Sequence, residues 1–269
     1  MTALLPTFVL QEGQTPGIFL VHGFASDHRA WTAVADALPR GRQVLAVDLP
    51  GLGHAADLRV PGRSHRARWM TTAQWLGRSI EAAGAESFVV AGYSLGARLC
   101  AYALAAGVWT PRGALLESPR FPLRAAAARR ARRFADEQLA QRCISQGQAA
   151  FAAAFAQSPV LAQQAQGLPA DAVARLQSHD QWRLLQQPHG TAWNLRTYGL
   201  GSTVPVGANR YAGPVHLWLG AADPGCLADR LQWQRVFPQA RVTVQADGPH
   251  NLHIACPSVW RQLLEELVR

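Results

Sequence analysis

The sequence has no lysine. All 26 of its basic side chains are arginine, set against 17 acidic ones for a formal charge of +9. Charged residues make up only 16% of the chain, and alanine is abundant. The missing lysine therefore reads as a compositional bias toward Ala and Arg. Cysteine is scarce as well. Cys100, Cys143, Cys226 and Cys256 lie far apart, with no CxxC pair and no metal-ligand spacing. That excludes a disulfide framework and points to buried free thiols in a reducing compartment, the cytoplasm by default. No apolar run approaches the ~20 residues of a membrane span. Met1–Leu10 lacks the basic start and long apolar stretch of a signal peptide. Disorder is excluded in turn by a hydrophobic content of 49% with nine tryptophans.

What is present is a chain long enough for a sizeable core. Short apolar runs bounded by Gly or Pro recur at residues 17–23 (GIFLVHG), 43–48 (QVLAVD), 87–92 (SFVVAG), 113–116 (GALL), 215–220 (VHLWLG) and 241–245 (RVTVQ). Residues 8–11 add an edge strand. Near-continuous apolar character suits strands of a parallel sheet covered on both faces. Residues 30–38, 66–83, 96–106, 226–236 and 257–268 read as helices between them. Strand–helix alternation implies an α/β fold with a mostly parallel, doubly wound sheet. The alternation stops between about Arg120 and Pro214. Residues 1–119 and 215–269 thus read as the core. Residues 120–214, rich in Ala, Arg and Gln, read as a helical cap placed after the sixth strand. Ligands of such folds bind at the carboxyl ends of the strands, beneath such a cap.

The strongest local signal is Gly92-Tyr93-Ser94-Leu95-Gly96. A strand runs straight into this GxSxG and a helix runs straight out, the context of a nucleophile elbow. An elbow serine is a weak nucleophile without a base and an orienting acid, expected in the chain order Ser, acid, His. Asp223, in LGAADPG, and His250, in DGPHNLH, follow successive strands and are favoured. Asp247 and Asp229 are rival acids, Asp229 being read as a residue of a solvated helix face. His253 is the rival base. Backbone N–H groups of Leu95 and Phe24 are candidate oxyanion donors, with Gly23 allowing close approach. His22 is either a packed residue or a ligand contact. Asp48-Leu49-Pro50-Gly51-Leu52-Gly53 reads as a structural turn.

The segments HGF with Trp31, DLPG, GYSLGAR, LESP, AAD and PHNLH resemble the α/β-hydrolase superfamily across nearly the whole chain. Within it, VHGF followed by Trp31, Tyr93 before the serine, Arg98 four residues after it, LLESP, the arginine-rich RRFADEQLA and the PHNLH ending are similar to the 2-succinyl-6-hydroxy-2,4-cyclohexadiene-1-carboxylate synthases of menaquinone biosynthesis. The resemblance implies a lyase that eliminates pyruvate from a carboxylated substrate, with Ser94, His250 and Asp223 acting as a general base. It implies substrate contacts from Tyr93, Arg98 and Arg133, with Arg132 as the alternative register. Phe155 stands where the family carries a cap tryptophan. Leu185 stands where it carries a cap arginine, for which Arg183 is the nearby substitute. Leu52 and Pro249 are further departures. A serine hydrolase acting on a carboxylated small molecule is the alternative on the same scaffold, and a non-catalytic binding protein is disfavoured by the intact triad.

Most of the arginines between Arg120 and Arg142 are expected on a solvated face, since one helix aims only one stripe at a pocket. The expected partner is an anionic small molecule. No feature points to nucleic acid, a membrane, a cofactor, a metal or a particular oligomeric state.

Overall fold

The computed structural model describes residues 3–84, 87–162 and 164–269. Seven strands form one sheet: β1 (Thr7–Gln11), β2 (Gln14–Val21), β3 (Arg42–Val47), β4 (Phe88–Tyr93), β5 (Gly113–Glu117), β6 (Val215–Gly220) and β7 (Arg241–Gln245). Their spatial order is β1-β3-β2-β4-β5-β6-β7. Only β1 runs antiparallel to its neighbour; the other five pairings are parallel.

The continuous apolar runs have a simple cause. Side chains alternate across a strand, and both faces are covered. Phe19 and Val21 of β2 and Leu45 and Val47 of β3 enter one core with Trp69, Trp75 and Trp233. Their alternates Ile18, Leu20, Val44 and Ala46 enter the opposite core with Trp31 and Trp260. The first core is closed by α1 (His65–Ala82), α2 (Leu95–Ala105) and α6 (Pro224–Val236), the second by α8 (Pro257–Val268) and the turn segment His28–Ala37. In α1, Trp69, Thr72, Ala73, Leu76 and Ile80 recur at helical spacing and are buried, and Ser64 caps the helix by accepting from the Ala67 N–H.

Two expectations need correction. The helix expected at residues 30–38 is a 3-10 segment, His28–Ala37, with non-helical dihedrals at Val34. β-branched Thr32 and Val34 disfavour the α-helix, and the Ala30 N–H closes a tight turn on the Asp27 carbonyl. The helical insertion lies between β5 and β6, so it follows the fifth strand in the chain and not the sixth. Only two strands, β1 and β2, precede residue 42.

The insertion contains α3 (Ala126–Ala156), α4 (Ala170–Leu184), α5 (Pro188–Tyr198) and a 3-10 turn, Leu200–Ser202. α3 breaks at Gly147, where φ is +85°. Its Ala140, Cys143 and Phe151 pack with Ala192 and Leu195 of α5 and Ala25 of the β2 loop. Hydrogen bonds pin the insertion to the core: Asn194 donates to the Pro50 carbonyl, Arg175 to the Ile254 carbonyl, and Gln186 to the Asp27 carboxylate. Among the described residues no helix is long and apolar enough to cross a membrane.

Candidate active site

Ser94 occupies the turn between β4 and α2 with φ +51°, a left-handed conformation that is costly for a residue with a Cβ. The glycines around it are demanded by contact. A Cβ on Gly92 would lie 2.7 Å from the Ala97 nitrogen. One on Gly96 would strike the Val21 carbonyl oxygen and lie 2.7 Å from the His22 oxygen. Gly96→Ala would gain about 1 kcal/mol of helix propensity but must push α2 off β2. A net destabilisation of about 2–3 kcal/mol is expected, read from urea denaturation.

The serine points into a hydrogen-bonded chain. Its Oγ donates to His250 Nε2 at 2.9 Å, and His250 Nδ1 donates to Asp223 Oδ2 at 2.6 Å. Asp223 is the N-cap of α6, and its Oδ1 accepts from the Cys226 N–H. Burial opposes ionisation of this carboxyl. The His250 hydrogen bond and charge, with the Cys226 N–H, outweigh it and hold the pKa down at about 2. His250 is braced from behind, its carbonyl accepting from the Ser118 hydroxyl.

The rivals have other occupations. His253 donates from Nδ1 to Glu117 Oε1 at 2.7 Å and is buried against Trp31 and Tyr93. Asp229 is not on a solvated face: it is half-buried, pairs with Arg120 at 2.7 Å and accepts the Phe121 N–H. Asp247 is exposed, in a turn beyond β7. His22 is a packed residue. Its Nδ1 donates to the Gly23 carbonyl and its Nε2 accepts the Leu49 N–H, tying two loops together.

Phe24 and Leu95 flank Ser94 from two directions. Leu95 opens α2, where the first N–H groups lack helical partners. Neither N–H has an acceptor among the described residues. Gly23 permits this loop because the Tyr93 ring lies 2.7 Å from where its Cβ would be. Burial first, and the Glu117 carboxylate second, raise the Tyr93 pKa well above its ordinary value, so it stays a neutral phenol.

Above Ser94 and His250 lies a cavity of about 220 Å³, walled by Phe24, Tyr93, Phe155, His179 and arginines 98, 120, 132 and 183. Three of these arginines are committed: Arg120 to Asp229, Arg132 to Asp136 and Arg183 to Asp180. Arg98 is not. Only 8% exposed, it donates to two neutral groups, the Tyr198 carbonyl and the Thr203 hydroxyl. Burial, and then Arg132, push its pKa below the usual arginine value. A buried cation without a counter-ion is costly unless an anion joins it.

Arg133 is a correction. It donates to the Gly201 carbonyl and lines a separate depression with Glu137 and Arg196. One residue along α3 is about 100° of rotation, and Arg132 takes the cavity side. Leu185 is 57% exposed and away from the cavity. Arg183, the penultimate residue of α4, is buried in the cavity wall with its guanidinium 5.1 Å over the Phe155 ring. His179 went unrecognised in the sequence: 3% exposed, its Nε2 has no partner among the described residues. Nothing in linear spacing marks it. Arg132 carried one signal, its i,i+4 spacing to Asp136.

The mostly parallel sheet with its covering helices agrees with what comparison finds. The family model of the alpha/beta hydrolase fold matches residues 16–255. The chain belongs to the alpha/beta hydrolase fold family. Among its relatives in this family, the 2-succinyl-6-hydroxy-2,4-cyclohexadiene-1-carboxylate synthase of Enterobacter sp. (strain 638) is 27% identical over 257 residues, 94% of this chain and 92% of the relative. Two solved alpha/beta hydrolase folds superpose closely. MenH from S. aureus does so with a TM-score of 0.82 at 21% identity over 97% of each chain. A thermophilic esterase from Thermogutta terrifontis gives 0.72 at 20% identity, over 98% of this chain and 94% of the esterase. At these identities the superpositions establish the fold alone.

Proposed function

We propose that this alpha/beta hydrolase-fold protein is a lyase of menaquinone biosynthesis. It would eliminate pyruvate from 2-succinyl-5-enolpyruvyl-6-hydroxy-3-cyclohexene-1-carboxylate to give 2-succinyl-6-hydroxy-2,4-cyclohexadiene-1-carboxylate. The observation that carries this reading is Arg98. A buried guanidinium without a carboxylate partner, in the wall of the cavity that holds Ser94, suits a substrate that brings its own carboxylates. The synthase relative, matched over most of both chains, supports the same assignment.

In this reading His250, oriented by Asp223, draws the proton from Ser94, and the serine oxygen removes an activated proton of the substrate. The enolate-like charge rests against the Phe24 and Leu95 N–H groups. Pyruvate then leaves. Arg98 holds a carboxylate, the paired Arg183 adds positive charge to the cavity wall, Tyr93 and Phe155 supply the apolar walls, and no cofactor takes part.

The test is incubation with the enolpyruvyl substrate while pyruvate release is followed. Absence of release, with brisk turnover of short-chain nitrophenyl esters, would sink the lyase reading. Arg98→Met probes the carrying observation. Loss of one desolvated carboxylate contact is expected to lower kcat/KM by roughly 30- to 1000-fold, or about 2–4 kcal/mol. The melting temperature is expected to hold, since a costly buried cation is removed along with its two hydrogen bonds. Unchanged kinetics would take Arg98 out of the site.

One observation favours a second reading, a serine hydrolase acting on a carboxylated ester. With Arg120, Arg132 and Arg183 already paired, Arg98 alone is uncommitted, which suits a substrate with a single carboxylate. The same assay separates the two.

A further inference from the structure

Away from Ser94, the loops after β2 and β3 hold a polar cluster that the chemistry above does not use. The Asp48 side chain is fully buried. Its Oδ1 accepts from the His28 N–H at 2.7 Å and from His28 Nδ1 at 2.9 Å. Its Oδ2 accepts from the His54 N–H at 2.8 Å and from His54 Nδ1 at 3.2 Å. The His28 ring is stacked on Phe8 with centroids 3.5 Å apart, while the His54 side chain is 61% exposed.

We propose that His28 Nδ1, His54 Nδ1 and the Asp48 carboxylate bind a borderline-soft transition-metal dication, Zn(II) being the type. Two imidazoles and one carboxylate are a donor set that zinc takes readily. The donor atoms are gathered, all lying within 4.8 Å of one another. Ligand bonds of about 2.0–2.2 Å in tetrahedral array place donor atoms about 3.3–3.5 Å apart, and the two histidine–carboxylate separations, each to a different oxygen, are 2.9 and 3.2 Å, so the side chains need only small rotations to converge on one ion. Two imidazoles on one such ion hold their ring centres about 5 Å apart; those of His28 and His54 are 5.3 Å apart. Proton accounting is also simple. Each ring donates from Nδ1 to the carboxylate; in the bound form the ring proton sits on Nε2, leaving Nδ1 to ligate. The carboxylate keeps its charge and its two backbone N–H bonds, which orient it from behind, as outer contacts do in built metal sites. The exposed side of His54 leaves room for water as a fourth ligand.

The ion would stiffen more than two loops. Gly53, beside His54, donates to Gln186 Oε1, and Gln186 Nε2 donates to Asp27, beside His28. Both histidines therefore adjoin the residues that grip the α4–α5 junction of the helical insertion.

The test is calorimetric titration of chelator-treated, untagged full-length protein with Zn(II), with Co(II) absorbance as a probe of tetrahedral geometry. One equivalent per chain is expected, with a rise in melting temperature and the visible bands of tetrahedral cobalt. His54→Ala removes an exposed ligand and should leave the fold intact by circular dichroism. It is expected to weaken zinc binding roughly tenfold or more and to abolish the thermal shift. Asp48→Asn would disturb the loops themselves, so His28→Ala serves as the second variant. No uptake by the native protein would overturn the proposal. So would uptake unchanged in both histidine variants, which would put the ion elsewhere, such as at Asp223, Cys226 and His250.

Discussion

Ser94→Ala is expected to lower kcat by about ten-thousand-fold or more, with little change in substrate affinity. The serine oxygen is the only side-chain atom lost, and His250 Nε2, 2.9 Å away, is left facing an empty position. Alanine suffers the same φ of +51° that serine does, so the elbow should survive. The cavity wall proposed to hold the anion, led by Arg98, is untouched. Single-turnover pyruvate release and equilibrium binding of the substrate measure the two parts. Activity within tenfold of native would mean that His250 removes the substrate proton directly, and the role given to Ser94 would be lost.

Asp223→Asn is expected to cost about as much, roughly ten-thousand-fold in kcat, by a different route. Asn can still accept the Cys226 N–H and cap α6. Its amide, however, offers a donor to His250 Nδ1, which then carries no proton, so the ring proton sits on Nε2, and that nitrogen can no longer accept from Ser94. The pH behaviour carries a sign. The Asp223 carboxyl is depressed to about 2 in the folded protein against an ordinary value of about 4. It contributes stability that is fully present above about pH 4 and is lost as pH falls toward 2. Urea melts across that window should flatten in the Asn variant. In the native enzyme, a fall in kcat/KM at any higher pH is not the titration of Asp223. An inflection that survives in Asp223→Asn would agree with this.

The fold was legible because its signals are local. Strands apolar at every position, such as FLV in β2 and FVVAG in β4, are compatible only with a sheet covered on both faces. Gly92 and Gly96 announce the elbow because only a residue without a Cβ tolerates the approach of Ala97 and Val21. Chain order then limited the acid and base to loops after β6 and β7, and the structure brings His250 to hydrogen-bond distance of Ser94 and Asp223 to hydrogen-bond distance of His250. The 3-10 segment at His28–Ala37 was missed because its pattern of apolar residues suits an α-helix, while the Asp27 turn that tightens it is a matter of backbone geometry.

The cap was less legible, for a reason of scale. A run of arginines says that a helix is basic; which one enters the cavity depends on rotation about the helix axis, and the close packing of α3 on the Leu200–Ser202 turn turned Arg132 inward and Arg133 away. Arg183, at the end of α4, and Leu185, just beyond it, differ by two positions, enough to put one over Phe155 and the other in water. The same holds for Arg98 and for His28, Asp48 and His54, whose separations of 20 and 6 residues match no linear motif. Composition and local pattern were sufficient for the sheet, the elbow and the order of the reacting groups, because those depend on backbone sterics and strand burial. The charge of +9 acquired meaning only through the fold. Packing paired three cavity arginines with carboxylates and left a fourth buried without an ion pair among the described residues, which is why the proposed substrate anion is assigned to it.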